Sequence, residues 1–163
     1  MTLTKIRLGD LLEVQNGFAF NSKQFSKTSG MPLIRIRDLK NGISTKTYYT
    51  GNYENKYIVR AGDFLISMDG EFRCYQWKGK NGLLNQRVCR LHNFNKQLNP
   101  NFLNYIINKE LKLIEDKTGF ITVKHLSSNS IKEIRISLPP LTQQKYIANK
   151  LDITFTEIDK KIE

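Results

Sequence analysis

The chain has 163 residues, 26 of them Lys or Arg against 15 Asp or Glu, so its formal charge is +11. Hydrophobic residues make up 39% of it, with nine Phe and seven Tyr, which is enough apolar surface for a real core and excludes wholesale disorder. The length suits one globular domain plus an appendage, and the excess of cations points to a polyanion, nucleic acid first, bound by neutralising phosphates and releasing counterions.

The cations are clustered. Acidic residues are absent from Val14 to Arg37, from Phe72 to Lys109 and from Lys117 to Lys132, so three separated segments can build one positive face. No apolar run approaches the ~20 residues that cross a bilayer, and Met1-Thr2-Leu3-Thr4-Lys5 lacks the apolar stretch of a secretory leader. A cytoplasmic protein without membrane contact is expected. Cys74 and Cys89 fit no CxxC or Cys/His spacing, so reduced structural thiols are expected, with no metal and no cofactor.

In chain order, Ile6 to Val14 is a compact apolar start, a turn or short helix leading into a strand that Gly17 breaks. Pro32 to Asp38 alternates apolar and basic residues, which in one strand puts Leu33 or Ile34, with Ile36, inward and Arg35 and Arg37 outward. Tyr57 to Met68 reads as two short strands around the Ala61-Gly62-Asp63 turn. A long loop, punctuated by Gly79 and Gly82, follows from Asp69 to Leu84, and the two-residue alternation resumes from Asn85 to Leu91.

Asn99-Pro100 is a helix start, with Asn as the cap and Pro in the first turn; Leu103, Ile106, Ile107, Leu111 and Ile114 then recur at helical spacing. Gly119 to Val123 reads as a strand, Ser127 to Glu133 as a helical turn, and Ile134 to Leu138 as a last strand ended by Pro139-Pro140. From Leu141 to the terminus, Ile147, Leu151, Phe155, Ile158 and Ile162 form an apolar stripe on a helix. At 1.5 Å per residue that helix extends roughly 33 Å, too far for a small domain to cover, so its stripe calls for a partner helix.

Several short segments follow one another in the order seen in specificity subunits of Type I restriction–modification systems: Lys5 to Asp10, Pro32 to Leu39, Gly62 to Ser67, Asn85-Gln86, and Thr122 to Leu126. The closing segment Ile136 to Ala148 resembles that family's IPLPPLxEQxxIA junction, where a recognition domain passes into a spacer helix; Thr142-Gln143 stands where the pattern has a variable residue and Glu. The resemblance spans nearly the whole chain. It implies an α/β (α+β) fold: a DNA target-recognition domain over 1–140, with a mixed or antiparallel sheet and short helices, then the beginning of a coiled-coil-like spacer helix over 141–163. It also implies a non-catalytic module that reads one half of a bipartite site on double-stranded DNA. Such a module docks methyltransferase subunits and, through them, the restriction subunit. Family subunits carry two recognition domains, so this chain is expected to be a half-subunit that meets a copy of itself, or a piece of a longer subunit.

Residue chemistry supports base reading independently, because Arg and Lys pair with guanine and Asn and Gln with adenine in the major groove. Arg73, Gln76, Lys78, Lys80, Asn85, Gln86 and Arg87 bracket Tyr75 and Trp77, whose rings can pack on sugars or splayed bases. Trp77 is equally suited to be a core anchor, and Asn85 and Gln86 to hold the loop backbone. Arg35 and Arg37 form a secondary contact set; Lys124 and His125 are candidates for phosphate, with a satisfied hydrogen bond the alternative for His125.

Two other classes stand beside this reading. A basic scaffold would bind an acidic protein partner, and competition by duplex DNA separates the two. A metal-dependent nuclease would draw on Asp63, Glu71 and Arg73, although the last position has Arg where such sites use Lys. No Gly-rich cofactor loop follows a strand, and no Asn-Pro-Pro-Tyr-type motif for amino-group methylation is present.

Overall fold

The computed structural model describes residues 4–118 and 125–162. Its strands are β1 (Lys5–Arg7), β2 (Glu13–Asn16), β3 (Phe25–Ser26), β4 (Met31–Ile34), β5 (Tyr48–Tyr49), β6 (Ile58–Val59), β7 (Phe64–Ser67), β8 (Cys74–Gln76), β9 (Gly82–Leu84), β10 (Val88–His92) and β11 (Arg135–Ser137). Its helices are α1 (Ile36–Leu39), α2 (Pro100–Lys117), α3 (Ser128–Lys132) and α4 (Leu141–Ile162). This is the α+β architecture expected: a wholly antiparallel sheet in the order β2-β10-β7-β8, and a mixed sheet β3-β5-β4-β9-β6 whose only parallel pair among the described residues is β4–β9. A short antiparallel ribbon joins β1 to β11, with Ile6 opposite Ile136.

The period of two along a strand decides where the cores lie. In β7, Phe64 and Ile66 face the largest core with Cys89 and Leu91 of β10, while Leu65, pointing the other way, joins Val88, Ile34, Leu84 and Trp77 in a second core. The antiparallel sheet is therefore covered on both faces, and β7 reads as a continuous apolar run rather than an alternation. A third, smaller core of Phe20, Leu33, Tyr49 and Leu83 lies within the mixed sheet.

On the first core lies α2. The Asn99 side chain accepts the Phe102 N–H at 2.9 Å, Pro100 occupies the first turn, and Leu103, Ile107 and Leu111 are buried at four-residue intervals. The first turns of α4 dock beside it through Gln144, which is wholly buried. Its Oε1 accepts the Asn99 N–H at 2.8 Å, and its Nε2 donates to the Gln97 and Pro139 carbonyls at 2.8 Å each. The amide thus ties the cap of α2 to the Pro139-Pro140 corner. Further along, Phe155 stacks on Tyr105 with ring centroids 5.8 Å apart and planes 9° from parallel, and the Tyr105 hydroxyl bonds Asp152.

Two expectations about local structure are corrected. Pro32 to Asp38 is not one strand: β4 ends at Ile34 because the Asp38 carboxylate accepts the Arg35 N–H at 2.9 Å and starts α1. Arg35 and Arg37 consequently do not share a strand face. The Asp69–Leu84 stretch is not a plain loop, since it holds β8 and β9, one in each sheet. The two short strands expected around Gly62 are present: β6 pairs with β9 and β7 with β8 and β10, so the turn, with Gly62 at φ +97°, carries the chain from one sheet to the other. The strand expected over 119–123 lies outside the described residues.

Candidate nucleic-acid interface

The turn between β9 and β10 sets the site. Asn85, Gln86 and Arg87 complete a turn closed by the Val88 N–H on the Asn85 carbonyl at 3.3 Å. The segment before β3 holds this turn from one side: the Gly17 N–H donates to the Val88 carbonyl at 2.9 Å, and the Gln86 N–H to the Phe18 carbonyl at 2.8 Å. On the other side, the Met68 N–H donates to the Arg87 carbonyl at 2.9 Å. Arg87 has φ +70°, a left-handed conformation uncommon for a side chain of its size, so the two flanking segments fix a residue that the chain alone would place elsewhere.

Gln86 and Arg87 are exposed, and they line a concavity with Arg35, Ile36 and Arg37. A second hollow continues from the same two residues toward His125 and Ser128, and a third, past Arg35 and Arg37, is lined by Lys27 and Lys46. The structure therefore brings Arg35, Arg37, Gln86, Arg87 and His125 onto one continuous basic surface. Within it, the His125 Nδ1 lies 2.7 Å from Asp69 Oδ1, while Asp69 Oδ2 lies 3.5 Å from Arg87 Nε. Asp69 was not among the residues singled out from sequence; its partner His125 is 56 positions away, and nothing local announces the contact.

Arg73, Gln76 and Lys78 lie elsewhere. They line a separate cleft between β8 and the Lys40–Gly42 turn on one side and α2 and α4 on the other, where Asn104 and Asp152 also face inward. Arg73 pairs with Glu71 at 3.7 Å and sits over the Tyr75 ring at 5.8 Å. Burial and then the Glu71 charge push the Tyr75 hydroxyl upward, so it is a neutral donor at physiological pH.

Trp77 is corrected from a surface ring to a core residue: it is 1% exposed, and its indole N–H donates to the Lys80 carbonyl at 2.9 Å. The Lys80 side chain itself is exposed. Asn85 is buried at 7% exposure although it borders the Arg35–Arg37 hollow, and its Oδ1 is buried without a hydrogen-bond partner. Lys124 lies outside the described residues.

The nuclease reading finds no assembled site. Asp63 is taken up by Arg90 at 3.1 Å and by the Arg60 N–H at 2.9 Å, and Glu71 by Arg73. Among the described residues no three His, Cys, Asp or Glu side chains gather as a metal site would require.

Residues 2–163 match the family model described as the Type I restriction modification DNA specificity domain. The chain is 39% identical over 156 residues to the Type I restriction enzyme EcoBI specificity subunit of Escherichia coli, covering 95% of this chain and 33% of that relative. It is 28% identical over 162 residues to the MjaVIII specificity subunit of Methanocaldococcus jannaschii, covering 97% and 38%. The chain thus spans about a third of the length of the first relative and 38% of the second. The crystal structure of the HsdS subunit from Thermoanaerobacter tengcongensis is similar with a TM-score of 0.72 at 19% identity, over 96% of this chain and 38% of that one. A chain from a structure of type I R-M system assembly gives 0.75 at 19% identity, over 96% and 39%. At such identity the likeness establishes the fold.

Proposed function

This chain belongs to the family of Type I restriction modification DNA specificity domains, and we propose that it is one target-recognition unit, reading half of a bipartite site on duplex DNA. Residues 1–140 form the reading domain, and the helix from 141 begins the spacer that meets a second recognition domain or a second copy of the chain. The unit catalyses nothing itself and takes no cofactor. It works in the cytoplasm, docked on methyltransferase subunits that carry the chemistry and through them on the restriction subunit.

The observation that supports this reading most is the convergence of Arg35, Arg37, Gln86 and Arg87 around one hollow, in a chain with a formal charge of +11. Guanidinium forks and an amide are the groups that distinguish guanine and adenine by their major-groove edges, and the surrounding cations neutralise phosphate. Gln86 and Arg87 stand on a turn braced by two segments, so their side chains leave a fixed backbone and can discriminate rather than adapt.

The test is to change Gln86, Arg87, Gln76 and Lys80 singly to Ala and map methylation by the complex reconstituted with methyltransferase subunits. Gln86→Ala and Arg87→Ala should relax preference at one base pair each, at a cost of about 1–3 kcal/mol, whereas Lys80→Ala should weaken all sequences alike. If Gln76→Ala alone changes the site, reading belongs to the cleft beside α2. If all four keep the wild-type preference, the proposal is wrong.

A further inference from the structure

The Asp69 carboxylate stands in the middle of a surface otherwise built to attract phosphate, and electrostatics alone would select against it there. We infer that Asp69 is a specificity-determining positioning residue, whose carboxylate holds the Arg87 guanidinium in one orientation and turns phosphate away from it. The inference rests on the DNA-reading role proposed above.

Asp69 uses its two oxygens on two different partners. Oδ1 lies 2.7 Å from His125 Nδ1, and Oδ2 lies 3.5 Å from Arg87 Nε. An imidazole nitrogen that close to a carboxylate carries the proton, so Nδ1 donates to Asp69. The terminal nitrogen Nη1 of Arg87 also lies 3.2 Å from Nδ1 with one N–H directed at it, but a nitrogen already donating its proton has no lone pair to offer, so that N–H finds no acceptor there and the second N–H of Nη1 is the one left for a ligand. The carboxylate therefore engages the Nε side of the guanidinium and leaves its end, with Nη1 and Nη2, for a ligand. Two parallel N–H donors at that end match the O6 and N7 acceptors of guanine.

The backbone agrees with the side chains. Arg87 is held at φ +70°, and the Met68 N–H on its carbonyl fixes Asp69 beside it through the adjoining residue. The Asp69 side chain is 29% exposed and that of Arg87 53%, so the carboxylate is the less exposed member of the pair. A negative charge in this place weakens attraction to every DNA sequence through its repulsion of phosphate. What it adds is a single orientation of Arg87, and hence a penalty when the base presented is not the right one.

This predicts effects of opposite sign, which a merely structural side chain would not produce. In the complex with methyltransferase subunits, Asp69→Asn should raise affinity for duplexes lacking the site by roughly threefold at low salt, since one repulsive charge is removed. It should also lower preference at one base pair by roughly tenfold, and that base pair should be the one affected by Arg87→Ala. The double variant should discriminate no worse than Arg87→Ala, because both act on one contact. Preserved preference in Asp69→Asn, with preference lost in Arg87→Ala, overturns the inference and leaves the DNA-reading role standing. Unchanged preference in Arg87→Ala overturns the role assigned to that residue and the inference with it. A uniform loss of affinity for all sequences in both Asp69→Asn and Asp69→Ser also overturns the inference, since that is how a structural prop behaves.

Discussion

Gly17 and Asn85 meet backbone to backbone: a Cβ built on Gly17 would lie 2.0 Å from the Asn85 carbonyl oxygen and 2.5 Å from its carbonyl carbon. No side-chain rotation relieves such a contact, so any other residue at 17 must push away the turn that carries Gln86 and Arg87. Gly17→Ala should therefore cost about 1–3 kcal/mol, in line with overpacking elsewhere. Melting should fall by roughly 3–10 °C, and the preference read by Arg87 should fall with it. A variant that melts with the wild type would show that the turn yields freely.

Gln144 accounts physically for one position of the junction segment that resembles the family pattern. Its amide makes three hydrogen bonds from a fully buried position, to Asn99, Gln97 and Pro139. Gln144→Ala leaves the buried Pro139 carbonyl, and the part-buried Gln97 carbonyl and Asn99 N–H, without this partner, each worth about 1–3 kcal/mol when orphaned, and it loosens α4 from α2. Urea denaturation should show a loss of about 3 kcal/mol for this change. For Gln143→Ala, on the exposed neighbour, the loss should be under about 0.5 kcal/mol. Equal midpoints for the two variants would mean that the junction is not held by this amide.

The two buried thiols give the protein a sensitivity to alkali. Burial pushes the Cys89 thiol up to about 12 from an ordinary 9.0, and burial with the neighbouring Cys89 raises Cys74 further in the same direction. Folded thiols thus keep their protons above pH 9, where the unfolded chain releases them. The unfolded state then binds fewer protons than the native one, and stability falls as pH rises above about 9. A pH series of denaturation curves should show this decline, and Cys74→Ala with Cys89→Ala should flatten it. In the native protein at pH 8 both thiols should resist a thiol reagent that labels them promptly in guanidinium chloride.

Much of the scaffold was legible because its causes are local. The Asn99 cap, Pro100 and the four-residue recurrence of Leu103, Ile107 and Leu111 sit within one stretch of chain and specify α2 without help. Elements decided by distant partners were not. β4 stops at Ile34 because a side-chain carboxylate turns back on the Arg35 N–H, and β8 and β9 form only by pairing with β7, β4 and β6. In the site, residue types singled out Arg35, Arg37, Gln86 and Arg87, which the fold places around one hollow, yet they gave no sign that Arg73 and Gln76 face another cleft. Trp77 shows why: in an acid-free, aromatic-bearing loop, stacking on a base and closing a core have the same composition, and only the carbonyl of Lys80 within reach of the indole separates them.

The stripe on α4 divides into a half that this chain satisfies and a half that it leaves open. Ile147 packs on the main core, Leu151 is half-buried and Phe155, though 50% exposed, lays one face on Tyr105, whereas Ile158, 45% exposed, and Ile162, 79% exposed, pack on none of the described cores. Replacing Leu151 and Phe155 by Asp would therefore disturb α2 and α4 as well as any partner, and could not isolate assembly. Ile158→Asp with Ile162→Asp avoids this, because neither side chain contributes to the described cores, and melting should move by less than about 0.5 kcal/mol in equivalent stability. Two carboxylates on an apolar seam, on the other hand, would have to be desolvated unpaired against a second helix, a cost no seam of this length recovers. Light scattering of the purified complex should then show this variant folded but separated from its second recognition domain or its methyltransferase subunits. Full assembly of Ile158→Asp/Ile162→Asp would mean that the far half of the stripe faces solvent in the working enzyme and that docking depends on another surface.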